Sequence, residues 1–451
     1  MKFDHNNISP LDSRYANKIS NFRENFSESA LIKIRFEIEI EWILFLCNKL
    51  PKTFKPLSKN SIEKIINFKN KFDNKSVLKI KKIEATTNHD VKAVEYFIRD
   101  YFKKDKVLSS YIHLIHFGLT SEDVNSLSYA VMIKKGISIY VNEITSLNKV
   151  LNSYSKKWSN VAFLARTHGQ PASPSTLGKE FKVFASRLDR EISILKSVKP
   201  MAKFSGATGN YHTFDIVDNK VKWSQINKKF IKQFAVEQNP YTTQIEPHDW
   251  IAELCHNISR INNIMIDLDQ DIWMYITNDI FKLKLLKGEV GSSTMPHKVN
   301  PIDFENSEGN LGIANSLLEF FASKLQKSRM QRDLSDSTVL RNVGLGFGYS
   351  ALAISSLVKG LNKLTPNLDK LDSELNQNWE VLTEAVQTIM RYEGIPDAYE
   401  QLKDLSRGSS ITKDEYIDFV KSLDLTSDSK EKLLKLSPYT YTGLANFLAK
   451  S

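Results

Sequence analysis

The sequence predicts an all-α protein built around very long helices, and three observations predict it. Apolar residues recur at helical spacing almost from end to end, while the alternation that marks a half-buried strand is scarce. Residues 248–287 run for forty positions without a glycine or a proline. Within that run Ile251, Leu254, Ile258, Ile261, Met265, Leu268, Ile272 and Tyr275 alternate steps of three and four without a break, the pattern of a helix packed lengthwise in a bundle. A lone chain hardly covers helices of that length, so association into a multi-helix oligomeric core is expected.

In chain order, Ser27–Leu50 reads as a helix, and so does Asp90–Lys104, where Val91, Val94, Phe97, Ile98 and Tyr101 share one face. These form an N-terminal helical domain, residues 1–109. A central domain of long bundled helices follows at 110–363 and carries the connection 288–301. Shorter helices, broken at Gly394 to Pro396, make a C-terminal helical domain at 364–451. A chain of 451 residues is too long for one compact core, and its 41% hydrophobic content supplies several.

Composition narrows the function classes. Cys47 and Cys255 are the only cysteines, too few for a disulfide framework or a cysteine zinc site, and they read as reduced core thiols of a cytoplasmic protein. The start of the chain lacks the apolar core of a signal peptide, and the greasiest run, Trp42 to Cys47, is too short to span a membrane. The net charge of +10 comes from lysine spread along the chain rather than from a basic stripe with aromatics, which argues against nucleic acid. A small anionic substrate is the better use for positive charge, because Arg14, Arg332 and Arg341 lie near candidate motifs.

Chemistry concentrates in the connection Gly288 to Pro301, GEVGSSTMPHKVNP. Gly288 and Gly291 stop a helix, and Pro296 and Pro301 delay the next one. Between them Ser292, Ser293, Thr294, Lys298 and Asn300 combine hydroxyls, a cation and freed backbone amides, a set suited to a carboxylate that gains negative charge. A polar surface linker has the same composition. Elsewhere, Thr87 and Thr120 each stand three residues before an acid, as helix N-caps do, and such helix starts also suit anions. His168 sits in a turn bounded by glycine and proline, where an imidazole reaches a ligand and can pass it a proton. His113 and His116 share a helix face without further ligands nearby and are assigned to structure, so no metal is expected.

These segments carry a resemblance. GSSTMPHKVNP resembles the signature loop of the fumarase/aspartase superfamily, whose members eliminate fumarate from a succinyl-bearing substrate. RTHGQPASPSTLGKE (166–180), NPYTTQIEPHDWIAEL (239–254), TTNHDVKAVEYF (86–97) and DSTVLRN (336–342) narrow it to the bacterial adenylosuccinate lyase family, in the expected order over nearly the whole chain. The TTNHD and TTQIEPHD segments argue against the fumarase and argininosuccinate lyase branches. The resemblance implies release of fumarate from two anionic succinyl purine compounds: adenylosuccinate, giving AMP, and the succinylaminoimidazole carboxamide ribotide of de novo purine synthesis. It also implies a cytoplasmic homotetramer whose sites are shared between subunits, working without a cofactor.

Residue by residue, the resemblance makes Ser292 the general base and His168 the general acid. Substrate binding falls to Arg14, Tyr15, Asn88, His89, Asp90, Thr120, Ser121, Gln244, Ser293, Lys298, Val299, Asn300 and Asn306, and further to Arg332, Ser337, Thr338, Val339, Leu340 and Arg341. From spacing alone the arginines equally describe a solvated helix face. Bidentate pairing with phosphate or carboxylate is the sharper reading that the resemblance favours.

Overall fold

The computed structural model describes residues 6–285, 288, 295, 298–406 and 411–451. It is all-α, as the periodicity predicts. Strands among the described residues are two or three residues long and pair two by two. The chain divides into two compact units. The first comprises Met1–Glu143, Ser193–Asn262 and Asn310–Leu352, and the second Ile144–Ile192, Asn263–Gly309 and Ala353–Ser451.

In the first unit the helix Glu28–Lys49 begins where Ser27 accepts from the Ala30 amide. Its Phe36, Ile38, Ile40, Trp42 and Ile43 are completely buried, so this helix is covered on more than one face. Helix Asp90–Lys103 buries Val91, Val94 and Ile98, while Tyr101 lies half out and stacks on Phe68. Thr87 does not cap this helix. It ends the preceding helix, Asn74–Thr87; Asn88 then turns the chain through left-handed φ (+50°), and His89 takes the cap, its Nδ1 accepting from the Lys92 amide at 3.2 Å. A short polar residue tolerates that conformation, which makes so sharp a joint possible.

The long helices that follow include Ser121–Lys157, Asp249–Thr277, Ile302–Leu325 and Val343–Leu361. In the first unit they share a buried polar knot. Asn262 donates to Asn315 (2.9 Å) and Ser350 (3.0 Å) and accepts from the Tyr140 hydroxyl (3.3 Å), so one side chain from each helix fixes the register. Phe26 fits against Val343–Leu361 because Gly344 leaves room for it. A Cβ there would come within 2.4 Å of the Phe26 Cβ.

The eight-residue seam of Asp249–Thr277 is buried from Ile251 to Ile272, with Tyr275 half-buried. The forty-residue run free of glycine and proline is nevertheless not one helix. It stops after twenty-nine residues, or about 44 Å. Thr277 Oγ1 and the Asn278 amide group bond back to the carbonyls of Trp273 and Met274, Asp279 is left-handed, and the Ile280 amide closes on Tyr275. Short polar side chains thus end a helix as glycine would. Phe281–Leu283 then pairs antiparallel with Leu364–Pro366 in the second unit. That unit's C-terminal helices enclose their own core around Trp379, Leu382, Val386, Met390, Tyr416 and Val420.

Candidate active site

His168 occupies the tip of a tight hairpin in the second unit. Arg166–Thr167 pairs antiparallel with Gln170–Pro171, leaving His168 and Gly169 as a two-residue turn. Both have positive φ, +52° and +75°, the backbone of a type I′ connection that suits the twist of a hairpin. The turn holds the imidazole out into solvent. Its base is anchored by Arg166 donating to Glu374 (2.9 Å) and by the Ser173 hydroxyl donating to Glu384. His168 is therefore carried on a short, well-braced projection.

Ser292 and Ser293 lie outside the described residues. Of the same connection, Lys298 is exposed and its amide bonds Met295, while Val299 and Asn300 are half-exposed. The following helix, Ile302–Leu325, is firmly seated. Phe304 is buried against Gly360, where a Cβ would come within 2.8 Å of its ring. Asp303 pairs with Lys359 (3.3 Å) and Lys363 (2.7 Å), and Asn306 Oδ1 accepts from Ser356 (2.7 Å). The downstream end of the connection is thus fixed by a helix start that the first-turn acid favours.

The first unit holds the remaining candidates in two groups. In one, Asp90 receives Arg341 Nη2 at 2.6 Å, Arg35 Nη2 at 2.9 Å and the Val91 amide at 2.8 Å. Burial pushes the Asp90 carboxyl up, but Arg35, the Val91 amide and Arg341 outweigh it and hold it below the usual carboxylate range. Arg341 also reaches Glu28 at 2.6 Å. With Nδ1 of His89 occupied as an acceptor, a neutral ring carries its proton on Nε2. Arg35, fully buried and donating to Asn125 (2.9 Å), supports Asp90 from behind. Sequence reasoning missed it, because Lys33, Glu37, Glu39 and Glu41 in the same helix leave no signal that singles it out.

In the other group, Arg332 donates to Glu122 at 2.6 Å, which brings its segment to the helix start bearing Thr120 and Ser121. Here the acid three residues on reaches back to the start of the helix, Asp123 Oδ2 accepting from the Thr120 amide at 2.8 Å. Asp123 is further held by Lys203 (2.8 Å) in a fully buried pair. Gln244 joins the same neighbourhood, its amide on the Gln331 carbonyl and its side chain on Ala207. Ser337, Thr338 and Val339 lie at least partly open on the short helix Ser335–Leu340, whereas the Leu340 side chain is buried and leaves only its backbone for a ligand. Arg14, exposed, leans over the Tyr15 ring at 5.6 Å.

Arg332 and Arg341 are thus already paired with carboxylates, and each keeps further donors for an anion, since a guanidinium offers five. Of the histidines assigned to structure, His116 binds Glu39 at 2.6 Å, and its pKa is raised because Glu39 outweighs the effect of burial. Cys47 and Cys255 are buried free thiols, their pKa values pushed up to about 11 and about 12 by burial. No helix among the described residues is long and apolar enough to cross a membrane.

Comparison with known proteins identifies the family. Residues 13–314 match the family model described as lyase, and residues 328–442 the model described as adenylosuccinate lyase C-terminal. The adenylosuccinate lyase of Legionella pneumophila (strain Corby) is 48% identical over 450 residues, 99% of this chain and 98% of the relative. That of Escherichia coli (strain K12) is 44% identical over 440 residues, 97% and 96% of the two chains. Among solved structures, a fumarate lyase from Mesorhizobium sp. BNC1 superposes with a TM-score of 0.76 over 95% of this chain and 96% of its own, at 16% identity, a likeness of fold alone. The chain is a lyase and belongs to the adenylosuccinate lyase family of the fumarase/aspartase superfamily.

Proposed function

We propose that this protein eliminates fumarate from adenylosuccinate, leaving AMP, and from the succinylaminoimidazole carboxamide ribotide of de novo purine synthesis. The observation that carries the reading is likeness to adenylosuccinate lyases along 99% of the chain, with the residue types of the proposed site intact.

The proton to be removed lies beside a carboxylate, so its loss builds an aci-carboxylate that the enzyme must stabilise more than it stabilises the substrate. Ser292 takes that proton. Lys298 and the loop amides supply the field that favours its alkoxide and absorb the growing charge, and Asn300 and Asn306 help to hold the substrate. The carbon–nitrogen bond then breaks and His168 gives a proton to the departing nitrogen. Arg14, Arg332 and Arg341 take the phosphate and carboxylate groups. Both proton movements are within the reach of side chains, so the proposal includes no cofactor. The working form is a cytoplasmic homotetramer whose sites draw on more than one subunit.

Purified protein mixed with adenylosuccinate tests the reading. Fumarate and AMP should appear in equal amounts, and a protein that binds the compound without releasing fumarate would exclude it.

A further inference from the structure

Behind Arg332 lies a set of charged side chains that the proposed binding roles leave unused. Glu122, Glu246, His248 and Asp336 are each at most 3% exposed. They come from the first turn of Ser121–Lys157, the segment leading into Asp249–Thr277, and the short helix Ser335–Leu340. Glu246 accepts from the Asn239 side chain (2.8 Å), the His248 amide (2.8 Å) and the Trp250 indole (3.1 Å). The loop that carries Gln244 is therefore wound round one carboxylate.

The His248 ring stands between two acids, with Nδ1 3.4 Å from Glu246 Oε2 and Nε2 3.8 Å from Asp336 Oδ2. Neither His248 Nε2 nor Asp336 Oδ2 has a hydrogen-bond partner among the described residues. An imidazolium facing the carboxylate is the pairing that offsets the burial of both. Burial by itself drives the proton off His248, but Asp336 and Glu246 outweigh it and hold its pKa at about 9. Asp336 in turn takes the Ser337 amide at 2.7 Å and lies 3.8 Å from Arg332 Nη2, whose Nη1 is on Glu122. Arg332 thus hangs between two acids, and His248 supplies the second cation. Without that cation Asp336 is free to draw the guanidinium toward itself.

We propose that His248, clasped between Glu246 and Asp336, is a positioning residue that sets the direction of Arg332 and the posture of the Gln244 loop toward an anionic substrate group. The proposal rests on the binding roles given above to Arg332 and Gln244. Its test is steady-state kinetics with adenylosuccinate on the full-length variants His248→Gln and Asp336→Asn, each alone and each combined with Arg332→Lys, with melting curves as a folding check. Each single variant should raise KM about tenfold or more and leave kcat within about twofold. Neither should raise KM further once Arg332 is lysine, because the orientation it protects is already lost. Unmoved KM in the folded single variants, or a KM effect fully additive with Arg332→Lys, would overturn the proposal, as would both variants failing to fold. An inactive wild type would instead sink the functional reading itself.

Discussion

At the scale of single residues, the charged groups divide into those assigned to substrate and those that hold them. Ser292→Ala should abolish turnover while substrate affinity stays within about tenfold, roughly 1.4 kcal/mol, since only proton removal is assigned to it; near-normal turnover in a binding-competent variant rejects the assignment. Asp90→Ala strips the counter-charge from Arg35, whose side chain is completely buried. Denaturant unfolding should show a loss of about 3 kcal/mol, the low end for a broken buried pair because Asp90 itself is partly exposed. The Asp90 contribution is present above about pH 3.9, the unfolded value, and is lost as pH falls through the lower folded one. His248 behaves in the opposite sense. Its folded pKa of about 9 lies above an unfolded value of about 6.5, so its contribution is complete below the lower figure and disappears as pH rises through the upper. Unfolding midpoints measured across that window should decline in the wild type and decline less in His248→Gln. The exposed turn at His168 was legible because Gly169 and Pro171 follow it closely. Arg35 was not, because its helix also carries Lys33, Glu37, Glu39 and Glu41, and only the fold shows that Arg35 and Glu39 are the buried ones.

At the scale of elements, the long seam was readable and its end was not. Period and burial agree from Ile251 to Ile272, because tertiary packing and helix propensity favour the same residues there. The stop at Thr277 depends on Thr277 and Asn278 bonding back to carbonyls, a competition that any helix interior containing such residues could win or lose. The cap at Thr87 was misread for a related reason: Asn88 turns so sharply that the cap passes to His89. The hairpin under His168 offers a direct probe. Gly169 has φ +75° and open space around the Cβ position, so Gly169→Ala meets no clash and costs only left-handed strain, about 1–2 kcal/mol. If the turn aims the general acid, kcat should fall in this variant while KM stays within about twofold. Unchanged kcat would mean that the turn's exact shape is immaterial to protonation.

At the scale of the whole molecule, the sequence pointed to association, and the surface of the long helices supports that proposal. Ile302–Leu325 buries Leu311, Ala314, Leu318 and Phe321, yet Ile313 and Phe320 on its other side are 48% and 53% exposed, with Leu317 half-buried between them. Trp273 and Met274 of Asp249–Thr277 are likewise 43% and 56% exposed. A helix apolar on two sides suits a place inside a larger bundle. The candidate residues meanwhile fall into two lots. Among the described residues, His168, Lys298, Val299, Asn300 and Asn306 belong to the second unit, and the others to the first. In a symmetric tetramer of long helices, one subunit's loop is free to complete another's site, and Ser292 and His168 of one working site are proposed to come from different chains. The most direct measurement mixes the inactive variants His168→Ala and Ser292→Ala under conditions that let subunits exchange, with exchange verified by mass. Random assortment should make about a quarter of the sites whole and restore activity in that proportion. A mixture that exchanges fully and stays as inactive as its components would place both residues in one chain and contradict the shared site.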